Sequence, residues 1–511
     1  MAQKTKPRCP AHPIQPSPPV SPPPPTPVGQ IYKASTSPCC SHSKTQNGAR
    51  RMGEANRQGS AVPLLCTVGA LLALLVPVEP TRAPDCGGIL TPLGLSYLAE
   101  ISKPHAEVAL RRDLMAQRAS DLFLGSMDPS RSRISSVKVV DLKLSLIPEA
   151  GLRMGIKAEL RIAPLHAVPM PVRVSIQADL HVDMGPDGNL QLLTSACRPT
   201  VQAPSTREAE SKSFRSLLDK EVNVDKLCLD VSKLLLLPNE QLMSLTAPFP
   251  VTPSCQLQYL PLAAPVFSKQ GIALSLQTIF QVAGAAVPVP VSPVPFNMPE
   301  LGSTSTSHLI LAMSKHFYTS LYFTLERAGA FNMTIPSMLT TATLAQKITQ
   351  VGSLYHEDLP IMLSAALRSS PRVVLEEGRA ALKLFLTVHI GAGSPDFQSF
   401  LSVNADVTTG LQLSVSDTRM MISTAVIEDA ELSLAASNVG LVPAALLEEL
   451  FLAPVCQQVP AWMDDVLREG VHLPHLSRFT YTNVSVVIHK VRSSTCKVLP
   501  ATRHLRCSCY T

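Results

Sequence analysis

Aromatic residues are scarce in this 511-residue chain, at 5% of positions, and Trp462 is its one tryptophan. So few rings leave little of the stacking surface on which single-stranded nucleic acids are held. Catalytic signatures are missing as well. The chain has no G-x-S-x-G elbow, no P-loop, no G-x-G-x-x-G and no H-E-x-x-H. Its thirteen histidines are scattered. His181 and His389 fall on the polar faces of predicted strands, where the simpler reading is a solvated side chain. None of the twelve cysteines forms a C-x-x-C pair, which leaves little basis for a zinc site. No catalytic residue, metal ligand or cofactor is therefore assigned. A basic body is absent too, although the formal charge is +6. Residues 1–60 carry eight Lys/Arg against one acid, and residues 490–511 carry five basic residues and no acid, so 61–489 holds 31 basic and 37 acidic residues, a net of −6. Nucleic-acid domains concentrate positive charge on the fold itself, so nucleic acid is excluded as the expected partner.

What the chain has is aliphatic content. Hydrophobic residues make up 45% of it, and with so few rings these are chiefly Leu, Val, Ile and Ala. Residues 1–60 form a proline-rich basic leader, with eleven prolines in the first thirty positions, a composition that cannot bury a core. Leu64 to Val76 is an uncharged apolar run of thirteen residues. A helix of that length spans roughly 20 Å, short of the ~30 Å hydrocarbon core, so 61–83 reads as a signal peptide, with an uncleaved signal anchor as the alternative. Import into the secretory pathway follows from either. The sequons Asn332-Met333-Thr334 and Asn483-Val484-Ser485 fit that route.

From residue 86 the periodicity turns regular. Leu95, Leu98 and Ile101 recur at helical spacing after Thr91-Pro92, with Pro104 expected to kink the helix. Three long period-two runs follow. Val140 to Leu146, Leu152 to Ile162 and Val172 to Met184 each alternate apolar with polar residues, as strands with one buried and one wet face do. Gly185–Asn189 is a turn into a further strand. Phe214, Leu217, Leu218 and Val222 then return to helical spacing, and Ile272, Leu274, Leu276 and Phe280 alternate again. Pro288, Pro290, Pro293, Pro295 and Pro299 mark an extended connector. Beyond it the theme repeats: helices are predicted at about Leu309–Ala328, Thr341–Leu354, Pro443–Leu452 and Trp462–Leu467. Strands are predicted at Leu382–Ile390, Leu401–Val415 and Val484–Ile488. The basic residues Lys143, Arg153, Lys157 and Arg161 share a strand face, but Asp141 and Glu159 interrupt them. An ordinary solvated face is the expected reading there, ahead of a stripe for anionic headgroups.

This order resembles the bactericidal/permeability-increasing (BPI), lipopolysaccharide-binding and PLUNC family, and most closely its BPI fold-containing family B branch. Leu95–Ile101 looks like the family's first helix and Glu326–Asn332 like the start of its C-terminal domain. Leu411–Ser416 and Ala436–Gly440 are similar as well. The resemblance spans roughly 86–490. It implies an α+β fold of two pseudo-symmetric domains, each a curved antiparallel barrel-like sheet covered by long helices, joined by a central sheet and a proline-rich linker. The expected divisions are 84–283 for the N-terminal barrel, 284–305 for the linker, 306–490 for the C-terminal barrel and 491–511 for a basic, cysteine-bearing tail. The resemblance also implies an apolar pocket in each barrel and a Cys197–Cys228 disulfide.

The expected function is then non-enzymatic carriage of a lipid or other small hydrophobic ligand in secreted fluid or the secretory lumen. Innate defence or odorant carriage would be its setting, and a membrane surface is a second expected partner. A strongly cationic lipopolysaccharide binder is disfavoured by the negative body. The alternative is an endoplasmic-reticulum protein that docks on membranes or partners without shuttling ligand. Candidate pocket residues are Leu98, Ile101, Met154, Ile156, Val174, Phe214 and Leu218. The competing reading of each is plain core packing.

Overall fold

In a computed structural model, the described residues are 83–123, 133–163, 170–186, 188–202, 228, 234–235, 244–291, 293–294, 298–299, 306–393, 397–474, 481–490 and 492–496. The leader and signal expectations over 1–82 lie outside them, as do Phe214 and Leu218. The fold is mixed α+β, with three antiparallel sheets.

The N-terminal sheet is a four-strand meander of β2 (Arg133–Ile147), β3 (Gly151–Ala163), β4 (Met170–Met184) and β5 (Leu190–Gln202). Its alternation follows the sequence pattern. Leu152, Met154, Ile156, Ala158 and Leu160 are buried while Arg153, Lys157 and Arg161 are exposed. Across the strands Met154 faces Ala178, Ile156 faces Ile176 and Ala158 faces Val174. Helix α1 (Pro92–Phe123) belongs to the same core through Leu95, Ala99, Ala106, Ala109 and Leu110. Alanines on its buried face let the helix axis approach the sheet closely. The helix continues through Pro104, the predicted kink.

The central sheet runs β18-β19-β11-β1-β9-β7-β6. Its strands are β1 (Cys86–Leu90), β6 (Phe249–Thr252), β7 (Cys255–Pro261), β9 (Gly271–Val282), β11 (Leu309–Ser314), β18 (Ser485–Ile488) and β19 (Arg492–Cys496). The short strands β8 (Val266–Ser268) and β10 (Ala285–Ala286) pair with β9. Strand β1 sits between β9 and β11, so chain segments nearly two hundred residues apart are joined through five residues. Strand β19 falls within the segment read from sequence as a tail, yet it pairs with both β11 and β18.

The C-terminal sheet has the order β12-β13-β14-β15-β16-β17. These are β12 (Met333–Thr340), β13 (Pro360–Glu376), β14 (Arg379–Ala392), β15 (Gln398–Ser416), β16 (Arg419–Ser437) and β17 (Val471–His472). Helix α2 (Lys315–Arg327) packs into its core. The first six residues of the predicted Leu309–Ala328 helix are thus strand. Leu309 to Met313 is an unbroken apolar run, and periodicity cannot separate a strand buried on both faces from a buried helix. The predicted Thr341–Leu354 helix is two short ones, α3 (Thr341–Ala345) and α4 (Thr349–Leu354). The two late helices are one: α5 (Ala444–Leu447) passes through a π-helical turn (Glu448–Leu452) into α6 (Ala453–Val466). Pro454 has no N–H for the Leu450 carbonyl, and the π turn absorbs that missing bond just before the proline.

Candidate apolar binding site

An apolar cavity of about 220 Å³ lies where α1, the N-terminal sheet and the central sheet meet. Its floor is the central sheet, through Leu90, Ile272, Leu274, Leu276, Leu309 and Leu311. One wall is the first turn and a half of α1, through Gly94, Leu95, Tyr97 and Leu98. The open end of the N-terminal sheet supplies Leu152, Val182, Leu190 and Leu192, while Leu235, Leu245, Phe267, Pro474 and Tyr481 close the rest. The space exceeds the roughly 150 Å³ of an apolar cavity that stays dry and binds benzene.

The wall is fixed by local chemistry. Thr91 caps α1, its hydroxyl accepting from Gly94 N at 3.1 Å while donating to the Ser307 carbonyl at 2.5 Å. The Thr91 amide donates to the His308 carbonyl at 3.0 Å. The helix start is thereby stitched to the strand entering β11. A Cβ on Gly94 would sit 2.2 Å from the His308 carbonyl oxygen, so this approach requires glycine. The few polar groups on the wall are turned away or shielded. Tyr481 donates to the Pro474 carbonyl at 2.6 Å, and burial raises its pKa. The Tyr97 ring lies 5.1 Å from that of His308, and burial also raises the Tyr97 pKa. Among the described residues, no carboxylate or ammonium belongs to the lining. Such a lining can hold hydrocarbon by its shape, and its described residues offer no charge for an ionic ligand to pair with.

Of the described sequence candidates, Leu98 lines this cavity. Met154, Ile156 and Val174 do not. They are buried in solid contact within the N-terminal core, at 0%, 0% and 3% exposure. Their strand face is apolar as read, and it shares the N-terminal core with Ala99, Ala106 and Ala109 of α1. Ile101 is half-buried and is not part of the lining. The floor residues Ile272, Leu274 and Leu276 were legible only as a strand, because nothing in their alternation says that a cavity faces them. Leu235, at 0% exposure, also closes the cavity; seven positions before it, Cys228 is bonded to Cys197 of β5, with Cα atoms 5.7 Å apart.

Two residues of the basic stripe have carboxylate partners, Arg153 across to β4 and Lys143 on its own strand. Arg153 bonds Asp179 at 2.7 and 3.1 Å, and that bond holds the Asp179 carboxyl below its ordinary range. Arg173 pairs with Glu159 at 3.3 Å and Lys143 with Asp141 at 3.6 Å. His389 bonds the Ser402 hydroxyl on the exposed face, and His181 lies beside Asp183 at 3.4 Å. The sequon residues Asn332 and Asn483 are both exposed.

A second polar feature, which the sequence did not reveal, anchors the central sheet. Asp85 is fully buried. It accepts from the Thr278 amide at 2.8 Å and from the Thr278 hydroxyl, and lies 3.4 Å from His316 Nδ1. His316 Nε2 is 2.8 Å from the Val291 carbonyl in the proline connector. The group locks β1, β9, α2 and the connector together, and its role is structural.

Comparison with known proteins matches most of the chain. Residues 253–493 match the LBP / BPI / CETP family, C-terminal domain. The chain is 86% identical over 424 residues to Protein TENP of Gallus gallus, covering 83% of this chain and 96% of that protein. It is 28% identical over 446 residues to human BPI fold-containing family B member 2, covering 83% and 96%. The crystal structure of lipopolysaccharide binding protein aligns over 83% of this chain and 100% of that one, at 16% identity and a TM-score of 0.49. No helix among the described residues is long and apolar enough to cross a membrane. The chain belongs to the BPI/lipopolysaccharide-binding/PLUNC family.

Proposed function

We propose that this protein is a non-enzymatic carrier of lipid or another small hydrophobic ligand, working in secreted fluid or the secretory lumen. The observation that carries the reading is the 220 Å³ cavity, whose lining among the described residues holds no charged group. Membership of a family whose profile is named for lipid-handling proteins supports it. Each methylene transferred from water to such a site contributes roughly 0.8 kcal/mol. Six methylenes would give about 5 kcal/mol without any polar anchor. An acyl tail suits this arithmetic better than a compact polar metabolite, which would strand its polar groups against leucine at a cost of roughly 2–7 kcal/mol each.

The test is organic extraction of purified protein followed by lipid mass spectrometry, together with uptake of a fluorescent fatty-acid probe. Leu98→Trp fills the cavity from its helical wall. The expected result is weaker uptake with an unchanged or raised melting temperature, since the added ring occupies void rather than core. Undiminished uptake by a folded Leu98→Trp protein would refute this site as the carrier's pocket.

A further inference from the structure

The outer face of the C-terminal sheet holds a charge arrangement that the carrier function does not use. In β13 and β14, Arg372 stands directly opposite Lys383. Like charges in direct cross-strand register are destabilising, and both side chains are exposed with no carboxylate partner among the described residues. A β-bulge lies on each side of Ser369, between Leu367 and Arg372. It brings a second arginine to the same place: the guanidinium carbons of Arg368 and Arg372 lie 5.4 and 5.3 Å from the centroid of one ring, Phe385. Bulges recur where a sheet must re-aim a side chain for function. The flanking Val373, Leu375, Leu382 and Leu384 are buried on the inner face, so the core does not explain this cationic cluster.

The surroundings say what kind of anion fits. Arg368 is paired with Asp406, which leaves Arg372 and Lys383 as the unanswered charges. The next carboxylates on this face, Asp429 and Glu431, lie on β16, two strands from Lys383, and each is already engaged with a partner of its own. A small anion reaching in over β13 stays clear of them. Stacking on Phe385 holds the guanidinium planes, and a fixed guanidinium donates two parallel bonds to a phosphate.

We propose that Arg372 and Lys383, with Arg368 and the Phe385 ring, form a binding site for a single phosphate ester group. That group is either free or the headgroup of one lipid, and the experiment below separates the two. The test is calorimetric titration of the full chain with glycerol 3-phosphate, run beside flotation with phosphatidylcholine vesicles with and without phosphatidate. One saturable site is expected, at least about tenfold weaker in Arg372→Gln/Lys383→Gln. Phe385→Leu, which keeps the apolar bulk, should weaken it about threefold, and Lys347→Gln on a separate face should leave it unchanged.

Melting curves separate a site from a scaffold. In phosphate-free buffer the double variant should melt no lower than wild type, because a repulsive pair has been removed, and phosphate should raise the wild-type melting temperature alone. Binding of the soluble ester assigns the free form, and binding confined to phosphatidate vesicles and lost in the double variant assigns the headgroup. Equal binding by wild type and double variant, or binding to neither ligand, would overturn the proposal. So would binding to heparin with none to phosphate, because the ligand would then be an extended polyanion.

Discussion

Removing the Cys197–Cys228 disulfide should loosen the N-terminal sheet and the wall of the cavity while leaving the C-terminal half intact. The bond joins residues 31 apart in sequence. In the chain-entropy treatment a loop of that length restricts the unfolded chain by about 12 cal/mol/K, or about 3.7 kcal/mol at room temperature. It also ties Cys228, six positions before the buried Leu234, to Cys197 of β5. The expected change in Cys197→Ala/Cys228→Ala is therefore local. Amide hydrogen exchange should show opening free energies in β4 and β5 falling by up to that amount, with β14 and β15 unchanged. Trp462, packed 5.5 Å from the Phe331 ring, reports the C-terminal core by fluorescence and should keep its signal. Cys255→Ala is the comparison, since that free and fully buried thiol acts as a small hydrophobe of the central sheet. Its cost should be about 1 kcal/mol, without selective effect on β5. If the double alanine variant kept full protection in β4 and β5, the constraint would not be acting where the structure puts it.

Three further outcomes are expected. Burial opposes a charge on His316, but its contacts with Asp85 and the Val291 carbonyl outweigh this and raise its pKa. The stabilisation is then complete below the unfolded value of about 6.5 and is lost as pH rises through the folded value. Melting temperature should thus fall from about pH 6 to about pH 8 in wild type and fall less in His316→Gln; identical slopes would contradict the linkage. Ile156→Asp puts a carboxylate at a fully buried position with no partner, which should cost several kcal/mol unless it protonates. Lys157→Gln, on the wet side of the same strand, should leave urea midpoints and probe uptake nearly unchanged. Expression in secretory cells should give a glycosidase-sensitive product that loses mass in Asn332→Gln and in Asn483→Gln, whereas an unglycosylated cytosolic product would refute secretory import.

The strands of the N-terminal sheet, and β14 and β15 of the C-terminal sheet, were legible because each buries one face and wets the other, whereas β12, β13, β16 and β17 were not read from the sequence. The run from Leu152 to Leu160 could be read one residue at a time, and every apolar position in it is buried. Of the central sheet only β9 and β18 were legible, and the rest was not, for two physical reasons. Strand β1 is Cys-Gly-Gly-Ile-Leu, too short to show a period. Strand β11 is buried at nearly every position, which removes the alternation and lets it pass as helix. Pairing across more than two hundred residues, as between Cys86 and Met313, leaves no local trace at all. The Asp85 cluster shares this difficulty, since Thr278 and His316 become its partners only once the sheet has closed.

The cavity itself depends on how the few aromatic rings are distributed, which overall composition conceals. At the junction of the central sheet with the C-terminal sheet, Tyr259, Phe280, Phe317, Tyr318 and Tyr322 are all buried and fill the space. Phe280 and Phe317 lie 5.9 Å apart, and Phe317 meets Tyr318 edge to face at 5.2 Å. The N-terminal core, built of leucine, isoleucine, valine and alanine, has Phe267 as its aromatic member among the described residues. Branched aliphatic side chains at the same backbone separation reach less far than rings. Two junctions of similar construction therefore end differently, one packed with rings and the other open along a leucine-lined seam. The scarcity of aromatics was thus the relevant observation, and its consequence falls on the N-terminal junction. Placing it required knowing that the rings of β7, β9 and α2 all serve the other end of the sheet. A single tryptophan at Leu98 would bring the open junction toward the packed one, which is why that substitution is the sharpest test of the carrier reading.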